Sequence, residues 1–247
     1  MFMKYMGSKS RIAKEIIPII TRDRGIDQYY IEPFCGGCNV IDKVGGNRIA
    51  NDINPYLVAC ARALSEGWLP DSNITLEMYN DIKNNIDKYE PRLVGYAGFQ
   101  LTYSAKWLDS YRKDSVGKRN YSLEAYNNVK KQALGLKGIT FFNLNYYELP
   151  MPLNSIIYCD PPYENTTKYK ANANSFDHAK FWEWCRLKSR EGHKLYISEY
   201  NAPQDFECIW SKEVCSSLEA NTGSKKAVEK LFTYKNTSVV KNDLFNI

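Results

Sequence analysis

The chain has 247 residues, 44% of them hydrophobic, so it can bury the core of one large α/β domain or of a core domain with an inserted lobe. No apolar run approaches the ~18 residues that a membrane span needs, and the basic start lacks the long apolar stretch of a secretory signal. Seven cysteines, without the spacing of a small disulfide scaffold, favour a reducing cytoplasm. The net charge of +5 is mild, so its distribution is more informative than its sum.

The first part of the chain predicts two strands separated by a glycine-rich turn. Residues 12–20 have helical spacing, and Tyr29–Phe34 reads as a strand followed directly by Cys35-Gly36-Gly37-Cys38. A second predicted strand lies within residues 48–54, with the acid Asp52 near its end, and a helix from Pro55 follows. Glycine lets the backbone approach a ligand closely, and an acid at this distance is placed to bind ribose hydroxyls. These elements together predict a site for an adenosine-containing cofactor.

The two cysteines of this turn allow more than one interpretation. As zinc ligands, Cys35 and Cys38 would need two more, and only His178, His193 and scattered cysteines are available. As a redox pair they would lie in a glycine turn rather than at the start of a thioredoxin-like helix. We favour simple packing within the turn over zinc binding and over redox chemistry.

A basic and aromatic segment lies between the two halves of the predicted core. Residues 71–95 read as polar and helical, and residues 104–137 contain eight Lys or Arg against three acids. A solvated surface would explain the charge alone, but it explains Tyr103, Trp107, Tyr111 and Tyr121 less well. Basic side chains interleaved with flat rings suit nucleic acid. The pattern favours a loop-rich lobe that contacts nucleic acid.

The second half of the chain predicts further alternation of strands and helices. One helix is expected over residues 177–190, and strands are expected over 138–143, 155–159, 194–199, 206–214 and 227–235. Polar loops are expected over 164–174 and 217–226. The alternation predicts a mainly parallel sheet of about seven strands in an α/β fold.

One strand ends in a sequence that can carry chemistry. Residues 155–159 form an apolar run rich in β-branched residues, and the chain leaves the sheet at Asp160-Pro161-Pro162-Tyr163, because proline cannot donate to a sheet ladder. Open α/β sheets bind ligands at the carboxyl ends of their strands. The four residues, named here the tetrad, present a carboxylate, proline carbonyls and a ring, which suit a flat ligand with an amino group. A stiff strand ending with an ordinary surface aspartate is the alternative.

In motif order the chain resembles the Dam-like, D12-class N6-adenine-specific DNA methyltransferases, of which phage-borne members resemble it most. The resemblance covers nearly the whole chain and implies a Rossmann-like methyltransferase fold that uses S-adenosylmethionine. It implies catalysis by Asp160, Pro161, Pro162 and Tyr163. It implies cofactor contacts from Tyr5, Lys9, Glu32, Pro33, Phe34, Gly36, Gly37, Asp52, Ile53, Asn145, Tyr146 and Asp160. Cys38 departs from the pattern, because the family usually has a second glycine there.

The basic and aromatic pattern, together with the resemblance, predicts a division of the chain and a set of DNA contacts. Residues 1–58 and 138–247 would form the catalytic domain and residues 59–137 an inserted DNA target-recognition lobe. The expected DNA contacts are Tyr103, Lys106, Trp107, Arg112, Lys118, Arg119, Asn120, Tyr121, Lys168, Lys170, Asn221, Lys225 and Lys226. Double-stranded DNA is the expected partner, with no metal, no membrane, a monomer or weak dimer, and a place in the cytoplasm of a prokaryotic cell or phage-infected host.

Several related activities stay open at this point. A cytosine-C5 enzyme presents its nucleophile as Pro-Cys, and no Pro-Cys dipeptide occurs in the chain. Cytosine-N4 enzymes perform the same amine chemistry and more often carry serine before the prolines, so Asp160 favours adenine by resemblance. Methylation of RNA or of protein glutamine also fits the tetrad, and a DNA-binding relative without activity fits the fold. GATC is suggested as a target by the family alone.

Overall fold

A computed structural model describes residues 3–114, 116–164, 176–216 and 225–235. The strands are Tyr30–Glu32 (β1), Arg48–Asn51 (β2), Ile139–Phe142 (β3), Ile156–Cys159 (β4), Lys194–Glu199 (β5), Phe206–Ser216 (β6) and Lys225–Tyr234 (β7). The α-helices are Ala13–Ile20 (α1), Pro55–Ser65 (α2), Leu76–Asn84 (α3), Pro91–Gln100 (α4), Tyr121–Leu136 (α5) and His178–Arg190 (α6). Among the described residues, no helix is long and apolar enough to cross a membrane.

The seven strands form one sheet in the order β3-β2-β1-β4-β5-β7-β6. The first five strands of that order run parallel, whereas β7 is antiparallel to both β5 and β6. The chain builds outward from β1 in one direction through β2 and β3, and then in the other through β4 and β5. This confirms the predicted Rossmann-like sheet of about seven mainly parallel strands. It also places a topological switch point between β1 and β4, where such sheets bind ligands.

Helices cover both faces of the sheet, because successive side chains of a strand point to opposite sides. Tyr30 of β1 and Tyr158 of β4 belong to a core shared with α1, α2, α4 and α5. Ile31 and Ile157, the neighbouring residues, belong to the core on the other face, which α6 covers with Phe181 and other side chains. The result is a three-layer arrangement with the central strands buried from both sides.

The segment predicted to be loop-rich contains the longest helix of the described chain, so that prediction was wrong over residues 121–136. Asn120 caps α5 by accepting a hydrogen bond from the Leu123 amide. Ala125, Val129 and Leu136 form the buried face of the helix. Its polar outer face masks the helical period in the sequence. The division of the chain into domains at residues 59 and 137 stays a prediction.

Candidate active site

The tetrad and the glycine turn lie at the same edge of the sheet, because β1 and β4 are neighbouring parallel strands. Register pairs Ile31 with Ile157, so the turn that follows β1 and the tetrad that follows β4 leave the sheet side by side. Pro161 is buried, while Asp160, Pro162 and Tyr163 are half-buried. The topology therefore brings the two most informative motifs of the sequence into one site at the switch point.

Lys9 fills the space between the tetrad and the last strand of the site. It follows the Tyr5–Ser8 turn, in a short 3₁₀ helix that Ser8 caps. Its ammonium lies 3.1 Å from Asp160 Oδ1 and 3.6 Å from Glu229 Oε2, and it sits 4.4 Å from the centre of the Tyr163 ring. Only 6% of the Lys9 side chain is exposed. Lys9, expected at the cofactor, thus contacts the tetrad directly.

The surroundings of the Asp160 carboxyl group change its pKa. Burial raises its pKa to about 6, and the negative charge of Glu229 acts in the same direction, while the Lys9 ammonium opposes both. Tyr163 donates a hydrogen bond to Glu229 Oε2 at 2.9 Å and packs edge-on against Tyr200 at 4.7 Å. Asp160 is therefore mostly ionised at neutral pH and loses its charge in mildly acidic solution.

The glycine turn is built for close packing. Gly36 has φ of +48°, and a Cβ atom there would lie 2.7 Å from the Tyr5 ring. A Cβ atom on Gly37 would lie 2.8 Å from Cβ of Tyr5. The Gly36 amide donates to Asp52 Oδ2 at 3.0 Å, so the acid after β2 holds the turn in place. Tyr5 and Asp52 thus both touch the turn.

Cys38 lies in the left-handed region with φ of +55°, although it is not glycine. Its side chain is fully buried in the core on the α1 face, and Cys35 is buried beside it. Gln132 of α5 donates to the carbonyls of Gly37 and Cys38 at 2.9 and 3.3 Å. Cys35, Cys38, Cys60, Cys159, Cys185 and Cys208 are free thiols, and within the described part of the chain no three His, Cys, Asp or Glu side chains are placed to hold a metal ion.

The residues before the glycine turn, Glu32 to Phe34, are held in place by contacts with neighbouring residues. Glu32 is buried, and burial raises its pKa well above the ordinary value while Tyr30 donates a hydrogen bond to it at 2.9 Å. The Pro33 carbonyl accepts from the Asn51 side chain at 3.0 Å. Phe34 packs against Tyr146 with ring centres 5.2 Å apart. Glu32 and Pro33 are therefore tied to the strands.

The other expected cofactor residues line the end of β2 and the loop after β3. Ile53 is 47% exposed although apolar, and it follows Asp52 directly. Asn145 caps a 3₁₀ turn over Tyr146–Glu148 in a capping box with Glu148. Burial raises the pKa of Tyr146 to about 12, so its phenol stays neutral. The exposed apolar side chain of Ile53 and the aromatic ring of Tyr146 suit a flat adenine.

These residues fit an adenosine-containing cofactor by their chemistry. Each oxygen of Asp52 accepts one backbone N–H, from Gly36 or Asn54, and keeps a lone pair for a ribose hydroxyl. The buried Asn39 Oδ1 has no partner among the described residues, beside a turn where backbone can approach a ligand. An adenosine-containing ligand is suited by the Asp52 carboxylate, the backbone of the glycine turn and the exposed Ile53 side chain taken together.

The expected DNA contacts divide into exposed and packed side chains. Tyr103 is 66% exposed, and Lys106 and Lys118 are also exposed. Trp107 instead stacks on Tyr56 at 5.2 Å and is half-buried, so most of its ring serves packing.

Arg112, Arg119 and Tyr121 form one charged cluster with Glu124. The Arg112 and Arg119 guanidinium groups lie 3.8 and 4.9 Å from the Tyr121 ring centre. Both arginines pair with Glu124, at 3.3 and 2.5 Å. Asn120, the cap of α5, ends the same segment. Lys168, Lys170 and Asn221 lie outside the described residues, and Lys225 and Lys226 are described only as the backbone that begins β7.

Sequence reasoning missed Glu229, Gln132 and Glu199. Glu229 comes from β7, Gln132 from α5 and Glu199 from the end of β5, where it accepts the Tyr200 amide at 2.7 Å. Burial raises the pKa of Glu199 to about 7. None of the three belongs to a local motif, because each reaches the site only through the fold.

Comparison with known proteins gives three findings. Residues 5–93 match the family model of the D12 class N6 adenine-specific DNA methyltransferases. The chain is 27% identical over 220 residues to the type II methyltransferase M.FokI of Planomicrobium okeanokoites, an alignment that covers 75% of this chain and 32% of that protein. The chain therefore spans about a third of this curated relative's length. The structure of the rRNA methyltransferase aviRa from Streptomyces viridochromogenes is similar over 92% of this chain and 85% of the aviRa chain. The sequence identity of that alignment is 10%, and the TM-score is 0.43. The family match confirms the resemblance to the D12 class over residues 5–93.

Proposed function

We propose that the protein is a site-specific DNA methyltransferase that transfers a methyl group from S-adenosylmethionine to the N6 amine of a flipped adenine in duplex DNA. The observation that carries the proposal is the tetrad at the carboxyl end of β4, directly beside the glycine turn that follows β1. The match of residues 5–93 to an adenine-specific family and the similarity to M.FokI support it.

The cofactor would bind along the glycine turn and the end of β2. Gly36 and Gly37 offer backbone at close approach, Asp52 offers carboxylate oxygens for the ribose, and Ile53 and Tyr146 offer apolar surface for the adenine. When bound, S-adenosylmethionine supplies an electrophilic methyl group on a sulfonium sulfur.

The tetrad would make the adenine amine reactive. The lone pair of N6 is delocalised into the ring, so the amine is a weak nucleophile. The Asp160 carboxylate and the Pro161 carbonyl would accept hydrogen bonds from the two N–H groups of this amine. These hydrogen bonds turn the nitrogen toward tetrahedral geometry and free the lone pair. As the new N–C bond forms, the donor's C–S bond would break to leave a neutral thioether, and positive charge would grow on the nitrogen, where the Asp160 carboxylate stabilises it. The surplus N6 proton would then pass to solvent, which leaves neutral N6-methyladenine. Orientation at close range supplies much of the acceleration.

Two further parts of the chain would hold the DNA. Tyr163 would stack on the flipped base, a contact worth ~1–3 kcal/mol, which offsets the few kcal/mol spent on unstacking. Residues 59–137 would form the target-recognition lobe, in which exposed Lys106 and Lys118 reach phosphates. The chain needs no metal for this reaction and would act in the cytoplasm.

A methyl-transfer assay tests the proposal. Protein, duplex DNA and labelled S-adenosylmethionine are incubated, and the DNA is digested to nucleosides. We expect N6-methyladenine with the native chain and its near loss in Asp160→Ala, while DNA binding survives. Label in N4-methylcytosine would move the reaction to the cytosine class. No transfer to any tested DNA would leave a DNA-binding relative without activity.

A further inference from the structure

We propose that Glu229 is a positioning residue that draws the Lys9 ammonium away from Asp160 when the substrate amine arrives. This inference deepens the proposed function and depends on it. It concerns β7, a strand outside every motif that the sequence identifies.

The geometry shows one ammonium shared by two carboxylates. Lys9 Nζ lies 3.1 Å from Asp160 Oδ1, 3.6 Å from Glu229 Oε2 and 3.1 Å from the Gly7 carbonyl. The side chains of Lys9 and Glu229 are only 6% and 14% exposed. A displacement of less than about 1 Å would therefore exchange the main partner of the ammonium and keep the ion pair intact.

Lys9 and the substrate amine compete for the same carboxylate. The amine needs Asp160 as acceptor, and positive charge grows on its nitrogen as the methyl group is transferred. An ammonium held at Asp160 neutralises the carboxylate and repels that growing charge. Lys9 cannot simply leave, because a buried ammonium without a partner is costly. Glu229 gives it a second acceptor within the same site.

Other contacts of Glu229 agree with this role. Its Oε2 accepts the Tyr163 hydroxyl at 2.9 Å, so the strand that receives Lys9 also fixes the ring expected to stack on the base. Lys212, its register partner on β6, pairs with Glu15 of α1. The carboxylate of Glu229 is thus directed to Lys9 and Tyr163.

The charges around Asp160 predict how the pKa of this group changes when the Glu229 charge is removed. Lys9 faces it from the first 3₁₀ helix and Glu229 from β7. The other titratable groups that interact with its charge are Glu32 of β1, Tyr158 of β4, Tyr163, Glu199 of β5 and Tyr200. Because the negative charge of Glu229 raises the pKa of Asp160, its removal lowers that pKa.

Glu229→Gln tests the inference, because glutamine keeps the shape and an oxygen for Tyr163 but removes the charge. We expect kcat for methyl transfer to fall about tenfold, since Lys9 then stays on Asp160. We also expect the acid limb of the pH profile of kcat/KM to move to lower pH. Glu207→Gln, an exposed glutamate at the other end of the same hairpin, serves as the matched control with native kinetics.

A double-mutant cycle separates positioning from structural support. In a Lys9→Met background, Glu229→Gln should change kcat by less than about twofold, because no ammonium is left to move. An equal loss in both backgrounds, or an unmoved acid limb in Glu229→Gln, would overturn the inference while native activity upholds the proposed function. An inactive native chain would instead reject the proposed function and this inference with it.

Discussion

We expect Asp160→Asn to stabilise the folded protein while it removes methyl transfer. Burial raises the pKa of Asp160 from 3.8 to about 6, so ionisation is harder in the folded chain than in the unfolded chain. A difference of about two pKa units corresponds to about 3 kcal/mol at ~1.36 kcal/mol per unit. The side chain is 23% exposed, so we expect a gain of about 1–3 kcal/mol in the free energy of unfolding.

The sign of the pH dependence follows from the raised pKa. The ionised carboxylate destabilises the folded state fully above pH ~6, less as the pH falls, and no longer below the unfolded value of 3.8. Thermal unfolding at pH 7.5 should show a higher Tm for Asp160→Asn by roughly 5 °C, and the difference should shrink at pH 4.5.

The control substitution has the opposite sign. Arg186 lowers the pKa of Asp205, with which it pairs at 2.9 Å, so Asp205→Asn should slightly lower Tm at pH 7.5. A lower Tm for Asp160→Asn at pH 7.5, or a gain that is the same at pH 4.5, would refute the reasoning.

Three further predictions address the catalytic carboxylate, the glycine turn and the DNA contact. The rate of methyl transfer should fall about tenfold per pH unit below pH ~6, because Asp160 must be ionised; a flat profile down to pH 5 would contradict this. Gly36→Ala should weaken S-adenosylmethionine binding in equilibrium dialysis at least about tenfold, because its Cβ atom meets Tyr5, whereas Gly45→Ala has open space and should bind normally. Lys118→Ala should weaken DNA binding and lower by about 1 the slope of log affinity against log salt concentration. The control Lys194→Ala, at the exposed amino end of β5, should change neither the affinity nor that slope. The same slope in Lys118→Ala as in the native chain would place the DNA contact elsewhere.

The central strands could be predicted from the sequence because local chemistry dictates them. Ser155–Cys159 is apolar and β-branched, and the prolines after it end the ladder. The turn after β1 could be located for a similar reason, since its glycines follow an apolar strand directly. The helix α5 could not, because its polar face dominates the composition and half of its buried positions, Ser122, Asn128 and Gln132, are themselves polar.

The site was predictable only where its residues belong to motifs. The tetrad, the glycine turn and Asp52 each follow a strand, so parallel pairing of β1, β2 and β4 brings them to one edge. Glu229 lies on an antiparallel strand that enters the sheet beside β5, and that insertion has no local pattern. Side chains that meet only through such long-range pairing require the structure.

Cys38 shows how the fold accommodates a departure from the family pattern. A non-glycine residue in the left-handed region costs about 1–3 kcal/mol, and φ of +55° places Cys38 there. Its thiol is fully buried in the core, a favourable contribution that glycine could not make. The Cys38 amide donates to the Cys35 carbonyl at 2.7 Å, and Gln132 donates to the Cys38 carbonyl, so the strained conformation is held from both ends. The thiol lies in the core, 3.9 Å from the Gly36 carbonyl, so the buried turn accommodates the side chain and glycine is not required at this position.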